Sequence, residues 1–510
     1  MHAPYLSALV QRRIVLMVAL PLVAVFAVWG LRDPASMREV SLGVTKILLA
    51  QFGWLILLLS TAALGLVTWL GLGRHRTKRL GLPTDRPEYS NVAWISMLFA
   101  AGMGTGLVVW GAAEPITHFL SPPGGSPTDP AAAARQAMVL TYLHWGLHAW
   151  AIYALCGLVI AWFSFRRGLP PLVSAPLAAL FRGRLGIGVA VAADSFGILS
   201  VTFGLAATLT MGILTLRSGV GALAGIEVSP VFALAALAMV GSVAILSALS
   251  GVSRGIRLLS TFNILLALGL MLAVLLLGPT ATLMSLFVES IGAYLAALPE
   301  LAFRLRPLEG DAQWTADWTL TYMLWWLAWG PFVGVFIARI SRGRTVGEFV
   351  TGVVLVPTLG SMLWFAIIGG SGLLAVMSQG LDGPLAIAVK NEPTAAMMLL
   401  LKGLPFGDLL GWLAMLLLLV FVVTSVDSAI YVLGMMSSGG ADTPPTILRV
   451  TWGIALLLLA AAMLMIASVE VARSMAILGA LPYPAILVLQ CYALLKSLAH
   501  PEHDPAGGSD

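Results

Sequence analysis

The chain has 510 residues, of which 59% are hydrophobic and only 10% charged, with a mean hydropathy of +0.96. A soluble domain is about 25% charged, so there is too little polar surface here to cover a soluble globule. The net charge of +5 is spread through short loops, which excludes a nucleic-acid face, and two cysteines inside apolar runs, Cys156 and Cys491, exclude a disulfide framework and a cysteine metal site.

The predicted elements are apolar runs long enough to cross a bilayer core of roughly 20 residues. The first, 14–31, follows Arg12 and Arg13 and lacks a small-residue cleavage site, so it reads as a transmembrane helix rather than a signal peptide. Next come 47–70, 91–116, 136–164, 187–214, 229–250 and 258–279. The stretch 281–305 mixes apolar residues with Glu289, Glu300, Arg304 and Arg306, and is expected to lie as an amphipathic helix at the outer surface. Five further runs follow at 318–340, 347–374, 407–435, 447–466 and 470–496. Backbone in lipid must pair internally, and no alternating pattern suggests a barrel, so all twelve read as helices.

Arginine and lysine placement sets the expected topology. With the N-terminus inside, 18 of the 28 basic residues fall on the inner side, which puts both termini in the cytoplasm of a cell inner membrane. The Pro- and Gly-rich stretch 117–135 reads as an outer loop, and 498–510 as a short, disordered cytoplasmic tail. The implied organisation is two leading helices in 1–90, five in 91–280, the outer connection 281–317, and five more in 318–497.

Four groups of residues carry chemistry. In Ala100-Ala101-Gly102-Met103-Gly104-Thr105-Gly106, alternate glycines mid-span weaken a helix by about 1 kcal/mol each. Taken alone this suits close helix packing; beside the other motifs it suits unwound backbone that meets a ligand or cation. On a single helix, Trp145, Trp150 and Tyr153 would share an arc of roughly 140°, and Trp325, Trp326 and Trp329 one of roughly 100°. Such rings could form an interfacial belt, but Trp326 and Trp329 fall mid-span. Ring faces there would attract a quaternary ammonium, at about 2 kcal/mol per desolvated ring.

Phe421, Thr424 and Ser425, with Ser428 on the same helix, could make a low-charge oxygen site for Na⁺, or their hydroxyls could simply bond back to the helix. Glu114 and Asp427 are ionisable at membrane depth and so are functional candidates, though both read better as structural hydrogen-bonding groups. His144 and His148, one turn apart with no third ligand apparent in sequence, read as satisfied polar groups rather than a metal pair. Gly330-Pro331 is expected to interrupt its helix. With 91–116 this gives two interrupted helices five spans apart, as an inverted repeat would produce.

The segment Met97 to Pro115, the run His144-Trp145-Gly146-Leu147-His148-Ala149-Trp150, the stretch Trp325-Trp326-Leu327-Ala328-Trp329-Gly330-Pro331 continuing to Thr345, and Thr424 to Ser428 together resemble the betaine/choline/carnitine transporter family. The resemblance implies an all-α fold of two leading helices plus a five-plus-five inverted repeat, alternating access and a homotrimer. It implies a substrate site at Trp145, Trp150, Tyr153, Trp326 and Trp329 with the backbone of Gly102, Met103, Gly104 and Gly106. It also implies a Na⁺ site at Ala100, Met103, Phe421, Thr424 and Ser425, with no other cofactor. A second sodium site found in some members would need hydroxyls where Val201 and Leu205 stand here, although Thr208 keeps one. Gly106 resembles the glycine betaine branch, whose substrate brings its own carboxylate. The expected activity is Na⁺-coupled symport of glycine betaine or a similar zwitterion. H⁺-coupled symport, exchange of choline, carnitine, ectoine or dimethylsulfoniopropionate, and a non-transporting receptor are the alternatives.

Overall fold

A computed structural model describes residues 3–102, 104–125, 129–250 and 253–499, the side chains of 3–10, 99–102, 250, 253–258 and 260 excepted. Met103 and the tail from 500 onward lie outside the described residues.

The described chain is helical almost throughout. In order it forms α1 (Ala3–Arg32), α2 (Pro34–Leu72), α3 (Asn91–Gly102), α4 (Thr105–Leu120), α5 (Pro130–Trp145), α6 (Leu147–Ala161), α7 (Gly183–Ala224), α8 (Pro230–Ser250), α9 (Ser253–Leu277) and α10 (Thr280–Leu301). There follow α11 (Ala312–Thr315), α12 (Thr321–Arg339), α13 (Val346–Trp364), α14 (Gly370–Gln379), α15 (Pro384–Asn391), α16 (Ala396–Lys402), α17 (Gly407–Ser437), α18 (Thr446–Ile466), α19 (Val469–Ala480) and α20 (Tyr483–Ala499). Local chemistry sets several starts. Asp33 caps α2 ahead of Pro34, Asp129 caps α5 ahead of Pro130, and Thr345 with Glu348 forms a reciprocal capping box on α13.

Among the described residues, ten helical runs are long and apolar enough to cross a membrane, or eleven if the bent pair α19–α20 is one span. α3 and α4 are each too short to count alone, because over the run expected at 91–116 the first helix ends at Gly102 and the second starts at Thr105. The helix expected to lie on the surface, α10, is one of the ten. One face of it packs through Leu283, Ser290, Tyr294 and Leu301, and Arg135 ties it to α5 by an ion pair to Glu289 at 2.6 Å.

Two local expectations are corrected. The run 136–164 is not one helix: it stops at Trp145, passes Gly146 in a non-helical conformation (φ −98°, ψ −132°), and restarts at Leu147. The single arc drawn for Trp145, Trp150 and Tyr153 therefore does not apply. Conversely, α12 runs unbroken through Gly330-Pro331. Proline costs that helix one donor, yet its glycines serve contact rather than interruption. A Cβ at Gly330 would stand 2.9 Å from Cys156 Sγ, and one at Gly334 would stand 2.8 Å from Cys156 Cβ. Small residues four apart thus let the backbones of α12 and α6 touch.

Among the described residues, three π-helical turns interrupt the regular helices, at Trp162–Arg166, Ala316–Leu320 and Phe365–Gly369. Such turns occur often at functional sites. The second leads directly into the aromatic face of α12, and Phe365 of the third lies 5.2 Å from the Trp145 ring.

The loop after α2 pairs with the loop after α12. Leu80 N donates to Arg344 O, and Gly343 N to Leu80 O, each at 2.8 Å. Arg344 stacks 3.9 Å over the Trp94 ring. Gly343 sits at φ +79° with the Arg86–Pro87 backbone against its Cα, a place no side chain fits.

Candidate functional site

The aromatic residues singled out by sequence come together because α6 and α12 touch. Tyr153 precedes the Cys156–Gly157 contact by one turn and Trp326 precedes Gly330 by one turn, so their rings meet edge to face at 5.9 Å and 82°. Trp145, at the end of α5, closes the group at 5.0 Å and 71° from Trp326. Edge-to-face packing of this kind is the favoured geometry of ring pairs.

These rings line a cavity of about 160 Å³. Gly104, Gly106, Trp145, Tyr153, Trp326, Trp329, Phe421, Thr424 and Ser425, all expected from sequence, lie on its wall. Trp150 does not. It is buried behind Tyr153, edge to face at 5.6 Å. Ala100 and Gly102 belong to the last turn of α3, and Met103 is outside the described residues.

Gly106 is required by Trp145. A Cβ there would come within 2.8 Å of the indole rim. Gly104, at the start of α4, faces Ser425 of α17, whose Oγ would lie 3.9 Å from a Cβ at that position. The unwound segment and the hydroxyl-bearing turn of α17 thus oppose each other across the cavity. Thr424 Oγ1 donates to Val420 O at 2.9 Å and lies 3.1 Å from Phe421 O. Its hydrogen is spent on the helix, but its lone pairs remain able to face a cation. Thr208 likewise donates to its own helix, at Gly204 O, while lining the cavity beside Phe332.

Behind the rings lies a buried polar hub that sequence reasoning only half identified. Glu114 is fully buried. Trp145 Nε1 donates to its Oε2 at 2.6 Å, and the Tyr322 hydroxyl donates to the same oxygen. His144 Nδ1 and His118 Nε2 face Oε1 at 2.8 and 3.3 Å. The far side of His144 meets the Thr319 hydroxyl at 3.0 Å, and its carbonyl accepts from Trp326 Nε1 at 2.8 Å. Structural hydrogen bonding, the role expected for Glu114, is what these contacts provide. The statement that no third ligand stands near His144 is corrected: ligand atoms of Glu114, His118 and His144 all lie within 4.8 Å of one another. His148 is elsewhere, with Nε2 3.3 Å from Thr61 Oγ1.

Several other residues lie on the wall, among them Tyr322, Trp325, Arg473 and Trp110. Tyr322 is one turn before Trp326 and stacks on it at 5.8 Å and 28°, so helical spacing could have found it. Trp325 belonged to the tryptophan cluster already noted. Arg473, an ionisable residue inside a predicted span, carried a general signal. Trp110 carried none.

The profile of the betaine/carnitine/choline family of transporters matches residues 14–503. The chain is 37% identical over 485 residues to the glycine betaine transporter of Bacillus subtilis, covering 94% of this chain and 93% of that one. It is 42% identical over 451 residues to an uncharacterised transporter of Mycobacterium tuberculosis, covering 87% and 75%. It is also 34% identical over 500 residues to the betaine/ectoine transporter of Corynebacterium glutamicum, covering 95% and 77%. The chain belongs to the betaine/carnitine/choline family and is a multi-pass membrane transporter, not an enzyme.

Proposed function

We propose that this chain is a secondary active transporter that moves glycine betaine, or a closely similar zwitterionic onium solute, together with Na⁺. One observation carries the reading: the faces and edges of Trp145, Tyr153 and Trp326 converge within 6 Å on a single cavity. A trimethylammonium head has no N–H donors, so ring faces can replace its water where a carboxylate is not needed. The named substrates of the Bacillus subtilis and Corynebacterium glutamicum relatives support the same class.

The cation is assigned to oxygens of Ala100, Met103, Phe421, Thr424 and Ser425. In support, Gly104 and Ser425 approach each other across the cavity. The break at Gly104 also leaves α3 carbonyls and the N-terminus of α4 unpaired by helix, the arrangement in which transporters hold ions and carboxylates. In this reading the chain makes twelve spans, two leading and ten in a five-plus-five inverted repeat: α3–α4 and α9 join the eleven counted above, and α10 is left at the outer surface as the connection between the repeats. It works by alternating access in a cell inner membrane, with both termini cytoplasmic, as a homotrimer.

The test is uptake of labelled glycine betaine into proteoliposomes of the purified protein. Uptake that collapses when Na⁺ is replaced by K⁺ supports symport with sodium. Persistence without Na⁺ and arrest by a proton uncoupler would make H⁺ the driver. Efflux from preloaded vesicles driven only by external solute would make it an exchanger. Binding without any flux would make it a receptor. Thr424→Ala and Ser425→Ala should each raise the Na⁺ concentration for half-maximal uptake.

A further inference from the structure

Among the described residues, Arg473 is the only charged side chain on the wall of the aromatic cavity. It stands on the second turn of α19, and its guanidinium lies over three rings: Trp318 at 4.8 Å, Trp110 at 5.1 Å and Tyr322 at 5.6 Å. Tyr322 in turn stacks on Trp326 and meets Trp145 edge on at 5.6 Å. The guanidinium is therefore one ring away from the box. It also lines two adjoining cavities, one beside Lys46, Asp317 and Glu470 and the other beside Lys390 and Glu470. Those outer spaces carry both signs of charge, whereas the inner one carries only this positive charge. Arg473 thus stands where the three spaces meet.

A stacked guanidinium is weakly hydrated and presents a flat fork of donors matched to a carboxylate. One of its five N–H donors is used by the Asp317 carbonyl, at 3.1 Å from Nη2. With the local dielectric lowered by surrounding rings, its charge acts strongly on anything entering. It repels an onium head toward the uncharged rings beyond it and attracts a carboxylate to itself. We infer that Arg473 is a specificity-determining residue that receives the substrate's carboxylate at the mouth of the box, so that the protein selects zwitterionic oniums over onium cations lacking an acid. The inference rests on the betaine-type reading above.

The test uses the full-length protein in proteoliposomes, with labelled glycine betaine and choline as competitor. Arg473→Gln should raise the KM for betaine by about tenfold or more, the scale of a lost charge-assisted bond, and leave inhibition by choline unchanged or stronger. Arg473→Lys, which keeps the charge and loses the fork, should fall between. If the glutamine variant does not fold, the lysine variant carries the test by the same split between betaine and choline. Equal weakening of both ligands, or unchanged betaine affinity, overturns the inference. A wild type that takes up no betaine overturns the functional reading and this one with it. Wild-type uptake with indifferent Arg473 variants overturns this one alone.

Discussion

Glu114 fixes Trp145 from outside the cavity that Trp145 lines. The indole Nε1 donates to Glu114 Oε2 at 2.6 Å, while the opposite rim of the ring rests against the backbone at Gly106. One carboxylate thereby positions two wall residues, since Tyr322 donates to the same oxygen.

Glu114→Ala should lower thermal stability and weaken substrate binding together. It leaves Trp145, Tyr322 and two histidines without their acceptor, and each unmet buried group costs about 1–3 kcal/mol. Glu114→Gln keeps an acceptor of similar shape and should lose less stability while still raising KM. Thermal unfolding in detergent, followed by tryptophan fluorescence, and betaine uptake measure the two effects separately. Equal melting temperatures for wild type and Glu114→Ala would contradict the hub.

Trp326→Leu removes one ring face from the box. A desolvated ring is worth about 2 kcal/mol to a quaternary ammonium, so the apparent affinity for betaine should fall by about tenfold or more. Trp150→Leu is the control, because Trp150 stands behind Tyr153 and off the wall. It should act more weakly on affinity than Trp326→Leu, and competition binding ranks the pair.

Gly106→Ala adds one methyl group where 2.8 Å is available to the Trp145 rim. Trp145 is held at Nε1, so it cannot swing away without losing Glu114. Overpacking of this sort costs about 1–3 kcal/mol, so the KM should rise by about tenfold or more with expression and assembly intact. Uptake kinetics over a range of betaine concentrations give the answer.

A pH effect is expected from the loop after α2. His75 is buried there against the Trp69 ring and accepts from Arg74 Nε at 3.2 Å. Burial, with Lys78 and Arg74 nearby, pulls its pKa below the ordinary 6.5. The folded state therefore prefers the neutral ring. Its contribution to stability is full above pH 6.5 and is lost as pH falls through the lowered folded-state value. His75→Gln should flatten the fall in melting temperature between neutral and mildly acidic pH, relative to the parent protein.

The long helices were legible because apolar runs of that length admit only one spanning structure in lipid. The break at Gly104 was legible too, since three glycines in five residues announce themselves. Gly146 was not. A lone glycine inside an apolar run gives no signal by its spacing, yet the break at Gly146 admits no side chain: a Cβ would stand 2.4 Å from Tyr142 O of the preceding turn and 3.3 Å from both the Tyr294 hydroxyl and the Met362 side chain. Pro331 misled in the opposite direction, because α12, packed on α6, continues through a residue that would weaken it in isolation. For the site, ring spacing on α12 was enough to find Trp326 and Trp329. Within the hub, His118 stands one turn after Glu114 on α4, a spacing the sequence shows, but His144 and Trp145 of α5 and Tyr322 of α12 are brought from other helices, and no spacing along the chain could show that.

The backbone contact of Gly330 and Gly334 with Cys156 has a mechanical consequence. Tyr153 and Trp326 are mounted on two helices with only the small Cys156 side chain between them to yield, so they form a rigid cassette. Trp145 hangs from a separate segment beyond Gly146. Widening the box therefore means displacing Trp145 against that cassette, and a spectroscopic ruler spanning α5 and α12 should register the stroke while one spanning α6 and α12 stays still.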